Sequence, residues 1–194
     1  MEITTELIKT LRDKTGVSVM QCKKALEEAG GDMEKAVIIL QKRSAESALK
    51  KSDRELGAGI VESYIHSTKT VGAMVELMCE TDFVSGNEEF KKLAYDIAMH
   101  IAAANPRYLK KEEISEESRA KAMEVFAPEV EGKPEELKEK ILSGKLDSFF
   151  NEQVLLEQPF IKNGDLTIKN LIEAGTQKFG EKIEISRFVR FGVK

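Results

Sequence analysis

The 194-residue chain lacks tryptophan and has only two cysteines and two histidines. Cys22 and Cys79 stand far apart without a CxxC spacing, which excludes a disulfide-rich scaffold and is typical of a reducing compartment. We expect both to be buried free thiols, with a disulfide as the alternative. His66 and His100 are isolated and no HExxH-type motif is present, so the sequence predicts no metal site.

Long hydrophobic runs and an excess of one charge are also missing. No stretch approaches the roughly 20 apolar residues of a membrane span, and the N-terminal segment MEITTELIKTLRDKTG has no apolar region typical of a signal peptide. The 30 basic and 34 acidic residues give a formal net charge of -4, and lysine pairs lack interleaved aromatic residues. We therefore expect a cytoplasmic protein that binds neither membrane nor nucleic acid.

What the chain does contain begins with three helical patterns in its first 50 residues. The first pattern stops at Gly16, the second opens at Ser18, and Asp32 is placed to cap the third. We expect the second helix to bury one apolar face, formed by Val19, Cys22, Ala25 and Leu26. These helices predict a compact bundle over residues 1–53.

The remaining residues, 54–194, have the pattern of an α+β domain. The runs GIVESYIHS and TVGAMVELMC predict a hairpin, and KIEISRFVRFGV predicts a third strand beside it. A long helix is expected between a cap at Ser85, with Asn87 as the alternative cap, and Pro106. Two more helices begin at Ser115 and near Pro134, and TIKNLIEAGTQKFG is the last. The predicted fold class is α+β, with a small antiparallel sheet and packed helices after the bundle.

Catalytic motifs are absent from the sequence. It has no GxxxxGK[ST], GxGxxG or GxSxG, and Glu80 and Asp82 have no base beside them. We therefore expect no covalent chemistry and no cofactor.

The stretch CETDFVSGNEEF places Phe83 directly after Asp82, where a predicted strand gives way to a helix. Such junctions are usually built from small polar residues. An aromatic ring beside a charge on a rigid corner is typical of a binding hot spot. As the alternative, Phe83 folds back on its own helix and Asp82 caps the first turn, although Val84 is better placed for that packing.

Two segments identify a family. LRDKTGVSVMQCKKALEEAGGDMEKAV, residues 11–37, closely resembles the N-terminal signature of elongation factor Ts, and ETDFV, residues 80–84, resembles its second signature. The similarity continues through IAMHIAAANP, LLEQPF and RFVRF, so it covers nearly the whole chain. Long members of the family carry a duplicated core half and an inserted helical hairpin. The chain is identified as a member of its short form.

The resemblance implies a guanine-nucleotide exchange factor for elongation factor Tu, the GTPase that delivers aminoacyl-tRNA. In the family, the residues that match Asp82 and Phe83 push between helices of the Tu nucleotide domain near its bound magnesium. Thr81 and Val84 belong to the same signature. Short members are associated with homodimers that bind two Tu molecules, which implies a two-plus-two complex.

The resemblance also implies that the N-terminal bundle docks on the Tu nucleotide domain and is similar to the ubiquitin-associated fold. The matching contact candidates are Arg12, Val19, Met20 and Lys23, with Lys9 beside them. His100 belongs to a helix that the family also brings to Tu, and a packed core histidine is the alternative for it.

Two other functions stay open on the sequence alone. An adaptor would use the bundle to bind some other protein, with an affinity that does not depend on nucleotide. An α/β enzyme would show a turnover that disappears when one titratable residue is removed.

Overall fold

The computed structural model of the protein describes residues 3–132 and 134–193, which form eight α-helices and five β-strands. This confirms the predicted α+β class. The helices are α1 (Thr5–Thr15), α2 (Val19–Glu28), α3 (Met33–Leu49), α4 (Asp82–Ser85), α5 (Glu88–Ala104), α6 (Glu116–Phe126), α7 (Glu135–Asn151) and α8 (Ile168–Phe179). The strands are β1 (Ala58–Ile65), β2 (Val71–Cys79), β3 (Pro159–Phe160), β4 (Asn163–Thr167) and β5 (Glu184–Gly192).

The chain divides into two compact units. The first ends at Ala103 and resumes at Pro159, and the second comprises Ala104–Gln158. The division predicted at residue 53 falls inside the first unit, between α3 and β1, and stays a prediction. Across both units, none of the helices in the described ranges is long and apolar enough to cross a membrane.

Helix caps set the ends of α1, α2 and α3 where the sequence predicts them. Gly16 ends α1 at a φ of 70°, a conformation that suits glycine, and its N–H donates to the Arg12 carbonyl at 2.8 Å. The side chains of Ser18 and Asp32 each accept a hydrogen bond from the backbone N–H three residues later, at 3.4 and 3.1 Å. Local capping chemistry therefore fixes this part of the chain.

The three helices enclose one buried core, made of Leu11, Val17, Cys22, Ala25, Leu26, Ala36 and Leu40. Val19 does not join it: its side chain is 54% exposed, so its predicted burial is wrong. As the first residue of α2, it lies ahead of the stripe that faces α1 and α3. Ala174 of α8 packs against the same core. The likeness of the bundle to a ubiquitin-associated fold stays a prediction.

The main sheet has the strand order β1-β2-β5, and both pairs are antiparallel, which confirms the hairpin and its returning third strand. Helix α5 lies against the inner face, where the rings of Tyr64 and Tyr95 are 5.7 Å apart and Arg190 Nε donates to the Ala102 carbonyl at 2.9 Å. The alternating residues of β2 share this face, where Val71 is half-buried and four others are buried: Ala73, Val75, Leu77 and Cys79.

A second sheet, formed by β3 and β4, is absent from the sequence prediction. Two and five residues are too short to produce a clear alternating pattern. Helix α8 follows directly, capped by Thr167 at its start and ended by Gly180 at a φ of 76°.

The second unit contains α6 and α7. Ser115 caps α6 and Pro134 precedes α7, both as the sequence predicts. The unit has a small core of its own, formed by Ile114, Ala122, Phe150 and Val154.

Candidate functional site

The corner after β2 differs from the predicted strand-to-helix junction. Helix α4 is a separate single turn, and the predicted cap at Ser85 is wrong because Ser85 lies inside that turn, where its hydroxyl donates to the Asp82 carbonyl at 3.1 Å. Asn87 Oδ1 instead accepts from the Glu89 N–H at 2.8 Å at the start of α5. The ETDFV segment therefore has a short helix to itself.

This turn directs neighbouring side chains to opposite environments. Phe83 is 84% exposed, more than any other large apolar side chain in the described ranges, whereas Val84 is only 4% exposed. Successive helical residues point about 100° apart, so Val84 anchors the turn to the core while Phe83 faces solvent. The alternative in which Phe83 packs back on its own helix is thereby contradicted. Thr81 and Asp82 are also exposed.

Two carboxylates hold the backbone of the corner. Glu181, between α8 and β5, accepts hydrogen bonds from the Glu80 N–H at 3.1 Å, the Thr81 N–H at 3.0 Å and the Thr81 hydroxyl at 2.6 Å. In return, the Glu80 carboxylate accepts from the Lys182 N–H at 2.6 Å and the Arg54 guanidinium at 3.1 Å. Hydrogen bonds to ionised acceptors are roughly twice as strong as neutral ones. We call the five residues joined in this way the carboxylate clamp: Arg54, Glu80, Thr81, Glu181 and Lys182.

The clamp changes the electrostatics of the corner. The hydrogen bond from the Lys182 N–H, with that from Arg54, holds the pKa of Glu80 below its ordinary value. Cys79 lies beneath, and its thiol donates to the Thr81 carbonyl at 3.2 Å. Burial, and next the charge of Glu181, raises the pKa of that thiol. Cys22 and Cys79 are both buried and free, as the sequence predicts.

The N-terminal candidates are exposed. Val19 and Met20 form an adjacent apolar pair, 54% and 69% exposed, at the start of α2. The three basic candidates, Lys9, Arg12 and Lys23, are exposed as well. The Nζ of Lys23 lies 3.8 Å from a carboxylate oxygen of Glu27.

Glu89, in the first turn of α5, accepts a hydrogen bond from Lys178 Nζ at 2.7 Å. This bond is the main cause that lowers the pKa of Glu89, and the charge of Arg12 lowers it further.

His100 is in the core. Its side chain is 1% exposed, its Nδ1 accepts from the Ile161 N–H at 3.4 Å, and its ring centroid is 6.2 Å from that of Phe160. This arrangement matches the packed-core alternative, because a direct partner contact would require the ring to leave the interior.

The sequence prediction missed Glu181 and Arg54. Their contacts reach Thr81 and Glu80 across 100 and 26 positions, and neither residue lies in a recognisable motif. Over the described part of the chain, no cluster of three or more His, Cys, Asp or Glu side chains could hold a metal ion. The corner is thus a surface of one exposed ring and one exposed carboxylate on a fixed backbone.

Comparison with known proteins gives consistent matches. The sequence model described as Elongation factor TS matches residues 4–194. An elongation factor Ts from Thermodesulfovibrio yellowstonii is 52% identical over all of this chain and 97% of its own length. Those from Carboxydothermus hydrogenoformans and Thermosipho melanesiensis are 49% and 48% identical, over 97% and 98% of this chain and 88% and 98% of their own lengths.

The exposure of Phe83 predicts that its ring contributes little to stability. We expect Phe83→Ala to change the free energy of unfolding by less than about 0.5 kcal/mol, because the ring is already in water. The matched change Phe90→Ala, at a fully buried ring on α5, should cost about 3–5 kcal/mol. Urea unfolding measures both, and comparable losses would contradict the exposed position of Phe83.

The lowered pKa of Glu80 predicts a dependence of stability on pH. A carboxyl group whose pKa is depressed by folding stabilises the protein above its unfolded pKa, about 4.3, and loses that contribution as the pH falls through the folded value. We expect Glu80→Gln to be less stable than wild type near neutral pH, with the difference shrinking below about pH 4.

Urea unfolding over a pH series tests this expectation, with Glu124→Gln, at an exposed glutamate on α6, as the control. A difference for Glu80→Gln that does not change with pH would contradict the role assigned to its charge.

Proposed function

The chain belongs to the elongation factor Ts family, and we propose that it is the guanine-nucleotide exchange factor that acts on elongation factor Tu in the cytoplasm during translation elongation. In this role it makes and breaks no covalent bond. The observation that supports the proposal most directly is the exposed ring of Phe83 beside Asp82, on a turn whose backbone the carboxylate clamp fixes.

Phe83 acts as a wedge in this proposal. Burying a full apolar side chain in a partner contributes about 2 kcal/mol. Because the corner is already hydrogen-bonded in the free protein, little further order has to be imposed on its backbone when the ring inserts. More of the interaction energy is then available to deform the partner.

Nucleotide release follows from disturbing magnesium in Tu. Mg²⁺ bridges phosphate oxygens and protein side chains, and so contributes to the retention of GDP. Phe83 separates helices near this ion, and Asp82 competes for polar groups around it. GDP then dissociates faster, and GTP can enter the emptied site.

The N-terminal bundle provides a second contact with Tu. The exposed pair Val19 and Met20 supplies apolar area, and the exposed basic residues Lys9, Arg12 and Lys23 supply positive charge. Thr81 and Val84 hold the turn that carries Phe83, since Thr81 is hydrogen-bonded to Glu181 and Val84 is buried. His100 contributes by packing α5.

Thermodynamic linkage makes the cycle reversible. If this protein weakens the binding of GDP to Tu by some factor, GDP weakens the binding of this protein to Tu by the same factor. The factor therefore binds nucleotide-free Tu most tightly, and incoming nucleotide helps to release it.

The outer face of the main sheet is proposed to join two copies of the chain. Pairing between the strands places five exposed apolar side chains on this face, opposite the one that α5 covers: Val61, Ile65, Met74, Val189 and Phe191. Its central charges, Glu76 and Arg187, pair at 2.8 Å. A contiguous apolar surface with its charges already neutralised suits a self-complementary two-fold interface. Two copies would carry two Tu molecules.

The exchange proposal predicts that GDP release depends on Phe83. Stopped-flow measurement of fluorescent GDP leaving Tu should show acceleration by wild type that falls roughly 30-fold for Phe83→Ala, the factor equivalent to about 2 kcal/mol. Asp82→Ala should weaken acceleration as well.

The control for this experiment is Val125→Ala, which removes exposed apolar atoms from the second unit and should leave the rate unchanged. No acceleration by wild type, with a Tu shown to be active, would refute the exchange function and favour an adaptor.

The dimer proposal predicts that charge on the outer face separates the copies. Light scattering at micromolar concentration should give twice 21.7 kDa for wild type and a single-chain mass for Met74→Asp, because two carboxylates would meet across the two-fold axis. Val125→Asp, at an exposed apolar position in the second unit, should remain a dimer. A single-chain mass for wild type would contradict the proposal.

A further inference from the structure

We propose that Glu181 is a positioning residue for nucleotide exchange, which fixes the direction in which the ETDFV turn presents Phe83. This inference rests on the proposed exchange function and assigns part of it to a residue outside both family signatures.

The backbone N–H groups of Glu80 and Thr81 lie beyond the paired part of the sheet. The last residue of β2 that pairs with β1 is Cys79, and the last that pairs with β5 is Met78. Backbone donors require acceptors when they are shielded from water. Glu181 Oε2 accepts from both N–H groups, at 3.1 and 3.0 Å, and so continues the hydrogen bonding of the strand by two residues.

The Glu181 carboxylate also binds the side chain of Thr81, the residue that would otherwise cap α4. Thr81 stands at the N-cap position, where a hydroxyl normally accepts from a backbone N–H of the first turn, yet its side chain makes no such bond. Its hydroxyl donates to Glu181 Oε1 at 2.6 Å instead. The orientation of α4 is therefore set by a tertiary contact and not by its own cap.

Glu181 is itself held in place. Its neighbour Lys182 donates its backbone N–H to Glu80 at 2.6 Å, and Arg54 reaches both the Glu80 carboxylate, at 3.1 Å, and the Gly180 carbonyl, at 3.5 Å. The two segments thus exchange hydrogen bonds in both directions. Phe83 follows Thr81 by two positions, so these hydrogen bonds also restrict the backbone that carries its ring.

The test separates positioning from binding. We expect Glu181→Ala to lower the saturating rate of GDP release from Tu roughly 10-fold, the scale of a misplaced functional group. The concentration of factor that gives half the maximal rate should change much less, because the N-terminal bundle still docks. Glu181→Gln keeps one carbonyl acceptor and should recover most of the rate. Thr81→Val removes only the hydrogen bond from the hydroxyl. Its saturating rate should lie between those of Glu181→Ala and Glu181→Gln.

A double-mutant cycle identifies the residue through which Glu181 acts. In a Phe83→Ala background, Glu181→Ala should lower the saturating rate by less than about twofold, because the ring that it positions is gone. Equal losses in both backgrounds would overturn the proposal, as would a saturating rate for Glu181→Ala equal to that of wild type.

Circular dichroism spectra and melting temperatures show which variants fold. If Glu181→Ala does not fold, the saturating rates of Glu181→Gln and Thr81→Val are compared with that of wild type in its place. Wild-type protein that does not accelerate release would refute the exchange function itself. Acceleration by wild type with no effect of Glu181→Ala would refute only the positioning role.

Discussion

The exposed ring of Phe83 depends on hydrogen bonds that end on the carboxylate of Glu181. An exposed ring buries no apolar surface in its own protein and so does little to order the backbone that carries it, and here the main sheet stops short of that backbone. Glu181 supplies the missing acceptors for Glu80 and Thr81, and Val84 anchors the turn from below. Residues 180–182, which connect α8 to β5, lie beside the end of β2.

Buried and exposed apolar side chains have different roles in the first unit. The bundle core and the inner-face side chains of β2 are buried and mostly apolar, so they make the unit rigid. Among the exposed apolar side chains of the described residues, three surfaces enter our proposals: Phe83 at the corner, the Val19 and Met20 pair on the bundle, and the outer face of the sheet. Our proposals assign the first two to Tu and the third to a second copy. Exchange then requires no chemistry beyond shape, burial and the loss of a partner's magnesium contacts.

Features with local causes could be predicted from the sequence. Gly16 and Asp32 mark helix ends because turn geometry and capping act within a few residues, and β2 was recognisable because one of its faces is buried. The single turn of α4 was missed because the spacing from Ser85 to Glu88 imitates a capping box. Glu181 was missed because its partners lie 100 positions away. Exposure of Val19 was missed because periodicity does not identify where the first turn emerges from the core.

Amide hydrogen exchange in the free protein measures whether the corner is ordered before any partner binds. We predict that the Thr81 N–H, although it belongs to an exposed residue, exchanges slowly, with protection similar to that of the Leu77 N–H within β2. We also predict that protection at Thr81 is lost in Glu181→Ala while protection at Leu77 is kept. Exchange of the Thr81 N–H in wild type at the rate of an unstructured loop would show that the corner is not ordered in the free protein.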